Sequence, residues 1–343
     1  MIVRLRPGTA EHQVQALRAR LEERGLRCMR SPELRRPILT VVGSLDASTR
    51  AELERDAAVE DCLEPRAGLV MVARESRDEP SVVAVGGRGA PVVRVGGGEV
   101  VVVAGPCSVE SRESVLEIAH AVQAAGAHIL RGGAFKPRTS PHAFQGLGVE
   151  GLRQLKRAGE AVGLPVVSEI MDATDVSTFV DEGIDCLQIG ARNMQNFTLL
   201  KAVAHCGLPV VLKRGLAATV DEWLAAAEYL AGAAPVILCE RGIRTFERAT
   251  RNTLDLTVLP LLREWTHLPI LVDPAHAAGI ARVVPPLARA AVAAGADGVA
   301  VEVHPRPSEA LSDGPQALLP AQLTRLVGEL RVMAAVTGRR LHA

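Results

Sequence analysis

Aromatic side chains are nearly missing from this 343-residue chain, which has five Phe, two Trp and one Tyr, 2% of its residues. Apolar residues still make up 48%, so the core must be packed from Ala, Val, Leu and Ile, the aliphatic layers that fill a parallel barrel. Net charge is missing too: 39 basic side chains balance 39 acidic ones. No global field recruits nucleic acid or an anionic membrane, and cations matter only where they cluster. The six cysteines show no CxxC spacing, and a chain this long needs no disulfide staples, which fits a reducing cytoplasm. The opening Met1-Ile-Val-Arg-Leu-Arg has no apolar signal core, and no uninterrupted apolar run is long enough to span a bilayer. Lysine is scarce, with four against 35 Arg. Two of the four, Lys136 and Lys213, stand just where apolar strands end, which suggests sites that need an ammonium in particular.

Taken in order, residues 1–76 read as strand (2–6), helix (9–25), two strands (27–31 and 38–43), helix (47–60) and a last strand within 62–73. This βαββαβ order is the ferredoxin-like unit, and it holds no cluster of chemical groups. Residues 77–98 turn to charges, Pro and Gly, a linker with a short covering hairpin. From 99 to 343, eight Val/Ile-rich runs alternate with Ala/Leu/Glu/Arg-rich helical segments, one of them opened by the capping box Thr219-Val-Asp-Glu222. Eight such repeats predict a (β/α)8 TIM barrel. The rival open sheet lacks a GxGxxG fingerprint after an early strand.

Active sites of such barrels lie at the C-terminal ends of the strands, and here every end delivers a polar or ionisable group. Cys107, His276, Glu302 and, beyond the eighth strand, Asp313 form a mixed S, N, O set suited to one divalent ion: Mn, Fe, Co or Zn. Singly, each has a bland reading as a buried hydrophobe or a satisfied hydrogen-bonder; their common rim makes them a set. A second group is cationic: Arg131, Lys136, Arg138, Arg192, Lys213 and Arg241, with Thr139 and Ser140 beside it. That is more positive charge than one monoanion needs, and two phosphorylated substrates would account for it.

Six ordered motifs carry a family resemblance: Gly105-Pro-Cys-Ser-Val-Glu-Ser111, the stretch Arg131 to Ser140, Gln188-Ile-Gly-Ala-Arg-Asn193, Val211-Leu-Lys-Arg-Gly215, Val272-Asp-Pro-Ala-His276 and Glu302-Val-His-Pro305. The chain resembles the class I 3-deoxy-D-arabino-heptulosonate 7-phosphate (DAHP) synthases of the short bacterial type, which carry an N-terminal ferredoxin-like domain. The resemblance implies a metal-dependent aldol-like condensation of phosphoenolpyruvate with erythrose 4-phosphate, releasing phosphate at the entry to the shikimate pathway of aromatic amino-acid biosynthesis. By motif, Cys107, His276, Glu302 and Asp313 would hold the metal. Arg131, Lys136, Arg192, Lys213 and Arg241 would hold phosphoenolpyruvate, and Arg138, Thr139 and Ser140 the sugar phosphate. Lys136, His276 and Glu302 are the candidates for proton transfer. The resemblance further implies allosteric feedback by tyrosine or phenylalanine bound between N-terminal domains of a homotetramer.

Two rivals follow. The first is 3-deoxy-D-manno-octulosonate 8-phosphate synthase, which typically has Asn where Pro137 stands, or a variant that takes a modified aldose phosphate. The second is a binding module without turnover, which would be expected to have lost ligands that are all present here.

Overall fold

The computed structural model describes residues 1–30, 37–87, 89–138 and 140–343. Thr139 and the predicted strand end Ser31 lie outside the described residues. The chain divides into two compact units, Met1–Pro80 with Leu261–His267, and Ser81–Pro260 with Leu268–Ala343.

The first unit runs β1 (Ile2–Leu5), α1 (Glu11–Glu23), β2 (Arg27–Arg30), β3 (Ile38–Val42), α2 (Ala47–Arg55) and β4 (Val59–Leu63). Its antiparallel sheet has the order β2-β3-β1-β4, that of the ferredoxin-like unit. One face packs Val3, Leu5, Leu39 and Val41 against Val14, Leu17, Leu21 and Leu53 of the helices. The second helix is five residues shorter than the reading that ended it at Glu60, and the last strand starts before Cys62. Asp56 turns the chain by accepting a hydrogen bond from the Ala58 N–H at 2.9 Å, and Val59 then pairs with Leu5.

The second unit opens with the hairpin β5 (Val83–Val85) and β6 (Val93–Val95). Its four buried valines join Val101, Val103, Ile129, Val167, Val211, Ile237, Leu271 and Ala300 in one apolar cluster. Pro165 and Pro269, the residues before two barrel strands, lie against Gly86 and Gly96 of the hairpin region. The hairpin therefore covers the N-terminal end of the barrel.

The barrel strands are β7 (Glu99–Gly105), β8 (Ile129–Arg131), β9 (Val166–Ile170), β10 (Cys186–Ile189), β11 (Val210–Lys213), β12 (Val236–Glu240), β13 (Ile270–Val272) and β14 (Gly298–Glu302). All are parallel to their neighbours, and β14 pairs with β7 over Gly298–Glu302 to close the ring. Between them run α3 (Arg112–Ala124), α4 (Val149–Val162), α5 (Val176–Asp181), α6 (Phe197–Ala204), α7 (Val220–Ala231), α8 (Val258–Trp265), and the pair α9 (Pro274–Ala278) and α10 (Val284–Ala293); α11 (Pro320–Val336) follows β14. The predicted capping box forms at α7: Thr219 Oγ1 accepts from the Glu222 N–H at 3.2 Å, and Glu222 Oε2 accepts from the Thr219 N–H at 2.8 Å. Among the described residues no helix is long and apolar enough to cross a membrane.

Candidate active site

The strand ends deliver their side chains to one mouth. A cavity of about 400 Å³ opens there, and Lys136, Arg138, Ser140, Arg192, Lys213, Arg241, His276 and Asp313 all line it. Lys136, Lys213 and Arg241 are buried at its base, whereas Ser140 and Arg192 are exposed. Arg131 stands apart: it is buried below the cavity and faces Glu302, with its Nη1 3.1 Å from Glu302 Oε1.

Cys107, His276, Glu302 and Asp313 each offer one donor atom to a cluster whose atoms lie within 4.8 Å of one another. Cys107 Sγ stands 3.3 Å from Asp313 Oδ2, and His276 Nε2 is 3.3 Å from Glu302 Oε1 and 3.8 Å from Asp313 Oδ2. The chemistry of the set fits a divalent ion. Glu302 is fully buried, and its Oε1, which faces the Arg131 guanidinium at 3.1 Å and His276 Nε2 at 3.3 Å, makes no well-directed hydrogen bond, so it keeps a lone pair for an ion. Asp313 adopts a left-handed backbone, φ 50° and ψ 27°, a conformation uncommon for a residue with a side chain and concentrated at functional sites.

His276 sits on the short helix α9, capped by Asp273, whose Oδ1 accepts from the His276 N–H at 3.0 Å. Asp273 Oδ2 takes two further contacts, the His276 ring at Nδ1 (2.7 Å) and Lys213 Nζ (2.6 Å). Holding the ring proton on Nδ1 leaves the Nε2 lone pair facing the donor cluster, the carboxylate–histidine arrangement of metal sites. Burial pushes the Asp273 carboxyl up, but His276 and Lys213 outweigh it and hold it well below the usual carboxylate range. Burial lowers the His276 imidazole against the pull of Asp273, which favours the neutral ring that a ligand must be. Burial also raises Asp313, yet Arg251 and His276 bring it to about 2. The Cys107 thiol is pushed up to about 12 by burial and by Glu302, against Lys136.

Lys136 Nζ donates to both the Cys107 carbonyl and Sγ at 3.1 Å. Two glycines let the neighbouring strand ends approach this closely. A β-carbon at Gly105 would lie 2.0 Å from the Arg131 carbonyl oxygen, and one at Gly133 would lie 2.9 Å from both the Cys107 carbonyl oxygen and Lys136 Cδ.

Four residues escaped the sequence reading. Arg244, Arg251 and Asn252, from the segment between β12 and α8, line the cavity, and Gln316 touches Glu302. The signal available for the first three was the cation-rich run after the β12 end, with Arg244, Arg248 and Arg251 spaced through it. Nothing marked Gln316.

Fold and rim define the class: a (β/α)8-barrel protein with a cation-lined pocket beside four side chains able to hold a metal ion. The model of the DAHP synthetase I family matches residues 74–335. The phospho-2-dehydro-3-deoxyheptonate aldolase of Thermotoga maritima is 43% identical over 344 residues, covering the whole of both chains. Its crystal structure superposes with a TM-score of 0.76 over 99% of each chain. A truncated form of the Thermotoga synthase, 46% identical, gives 0.73 over 79% of this chain and 98% of its own. A 2-dehydro-3-deoxyphosphooctonate aldolase from Magnetococcus marinus is 34% identical over 252 residues, 67% of this chain and 86% of its own. The chain belongs to the DAHP synthetase I family.

Proposed function

We propose that this protein is a 3-deoxy-7-phosphoheptulonate synthase, condensing phosphoenolpyruvate with erythrose 4-phosphate to DAHP and phosphate at the start of the shikimate pathway. The observation that carries the reading is a 43% identity running through both units, joined to a pocket in which four potential metal donors adjoin a ring of cations. The octulosonate aldolases are more distant, and the Magnetococcus enzyme aligns with only 67% of the chain.

The roles follow from charge and depth. Lys136, Lys213 and Arg241, buried at the base, suit the carboxylate and phosphate of phosphoenolpyruvate, with Arg192 closing over them and Arg131 supplying positive charge from below. Arg138 and Ser140, nearer solvent, suit the phosphate of the aldose; Thr139 is assigned with them by its motif alone. Fixed cations hold two mutually repelling anions side by side, so proximity supplies much of the rate. Cys107, His276, Glu302 and Asp313 would hold one divalent ion, which supplies Lewis-acid polarisation of the aldehyde oxygen when bound. The enol C3 of phosphoenolpyruvate forms the new bond to the aldehyde carbon, water adds at C2, and the C2–O bond to phosphate breaks. Lys136 is the candidate to give a proton to the aldehyde oxygen as it gains charge; His276 and Glu302, the motif candidates for the proton lost by the water, can take it only through an atom that is not holding the ion. A mixed set of thiolate, imidazole and carboxylate donors leaves the ion's identity to availability.

The test is phosphate release by metal-stripped protein given phosphoenolpyruvate with either erythrose 4-phosphate or arabinose 5-phosphate, with and without Mn2+. Metal-restored turnover with the four-carbon sugar alone supports the reading; turnover with arabinose 5-phosphate hands the function to the octulosonate rival. For residues 1–76 we propose, from the family resemblance, feedback control by tyrosine or phenylalanine in a homotetramer. Deleting them should leave turnover and remove inhibition, whereas lost turnover points to a structural role.

A further inference from the structure

Glu302 and Asp313 each turn one oxygen toward the donor cluster and the other away from it. The outward oxygens are held by two side chains outside the cluster. Gln316 Nε2 donates to Glu302 Oε2 at 2.6 Å, and Gln316 Oε1 accepts from Arg251 Nη1 at 3.0 Å. The same Nη1 reaches Asp313 Oδ1 at 3.2 Å. A continuous chain, Glu302 to Gln316 to Arg251 to Asp313, thus ties together two carboxylates from different parts of the rim.

The chemistry of the middle link is specific. A glutamine donates at one end of its amide and accepts at the other, so it can join a carboxylate to a guanidinium. A glutamate there would repel Glu302, and an apolar side chain would leave Glu302 Oε2 buried without a partner. The backbone fixes the link as well. The Leu318 N–H donates to the Glu302 carbonyl at 2.8 Å and the His304 N–H to the Leu318 carbonyl at 3.0 Å, which stitches the chain just after Gln316 alongside the end of β14. With Oε2 occupied by Gln316, Oε1 is the oxygen turned to the donor cluster, 3.3 Å from His276 Nε2 and facing Arg131 at 3.1 Å without a well-directed hydrogen bond.

We infer that Gln316 and Arg251 are positioning residues of the metal site: they select which oxygen each carboxylate presents, and so set the affinity for the ion. Arg251 also lines the substrate cavity, so the bracket ties the pocket wall to the ligand set. The inference rests on the reading that the four donors bind a divalent metal.

The experiment uses the full-length protein stripped of metal, titrated calorimetrically with Mn2+, and with Co2+ while following the thiolate-to-cobalt charge-transfer band. Gln316→Met keeps volume but removes both ends of the amide; Arg251→Met alters a side chain that is 41% exposed, and so keeps the test alive if the first variant is unstable. Each is expected to weaken Mn2+ binding about 10–100-fold and to alter the cobalt band. The double variant is expected to lose less than the product of the two, because both cut one chain. Mn2+ affinity and cobalt spectrum like wild type in both single variants would overturn the inference while leaving the metal reading intact. Wild-type protein that binds no Mn2+, or Glu302→Gln protein that binds it as well as wild type, would remove the metal reading and the inference with it.

Discussion

Asp273→Asn is the sharpest perturbation of this rim, because one atom of the carboxylate does two jobs. Oδ2 meets both Lys213 Nζ and His276 Nδ1, while Oδ1 caps α9 through the His276 N–H. An asparagine cannot reproduce this in either orientation. With its amide nitrogen in place of Oδ2, a donor faces the lysine ammonium, and His276 Nδ1 must become an acceptor, which moves the ring proton to Nε2 and blocks the lone pair that faces Glu302. With the amide reversed, two donors meet at the cap. At least one hydrogen bond to a charged group is lost, worth about 1.5–3 kcal/mol, and Lys213, which is 4% exposed, loses its counter-charge. Breaking a buried pair this way costs about 3–5 kcal/mol, enough to lower the barrel's melting temperature by roughly 6–20 °C. Disturbing the imidazole tautomer should weaken Mn2+ binding about 10–100-fold. Melting of the metal-free protein and Mn2+ calorimetry read the two effects separately. A variant that melts and binds Mn2+ like wild type would refute the claim that Asp273 organises both the lysine and the histidine.

Other outcomes follow from single features. Gly105→Ala should destabilise the barrel by about 3 kcal/mol or more, since its β-carbon would meet the Arg131 carbonyl oxygen at 2.0 Å; denaturant unfolding of wild type and variant checks this. Burial, with His342 adding, brings His128 from 6.5 down to about 4, and burial does the same to His267. The unfolded chain then binds more protons between these values, so stability is full above about pH 6.5 and falls as pH drops toward 4, by up to about 3 kcal/mol per histidine. Unfolding free energy measured across that range tests it, and His128→Gln should flatten the slope. Chelation should abolish phosphate release and Mn2+ restore it, whereas Cys107→Ser should need far more Mn2+ for the same rate, because a hydroxyl is a much poorer ligand than a thiolate.

Much of this molecule is legible in its residues because strand-then-helix alternation repeats eight times, and each strand terminates in a residue whose chemistry differs from the apolar run before it. Lys213, Asp273 and Glu302 announce themselves in that way. Gln316 does not: it is uncharged, lies fourteen residues past Glu302 on a separate loop, and matters only through what stands opposite it in space. Arg131 shows a different limit. Its place at the β8 end was readable, but depth was not, and the guanidinium lies beneath the cavity against Glu302. The overlong second helix has a local cause, since the run through Glu60 has helical composition and only the Asp56 side chain, bonding to the Ala58 N–H, diverts it.

The valine hairpin at the N-terminal end of the barrel makes the reaction chamber a vessel with one door. Anything gripped by Lys213 and Arg241 at the floor must come in before anything gripped near Arg138 at the lip, and the lip must clear before the floor can be refilled. Initial-rate kinetics should accordingly be ordered, with phosphoenolpyruvate first; a random pattern would mean that the floor can be reached past an occupied lip. Traffic, as much as chemistry, is set by the apolar packing of hairpin and barrel interior at the end opposite the donor cluster.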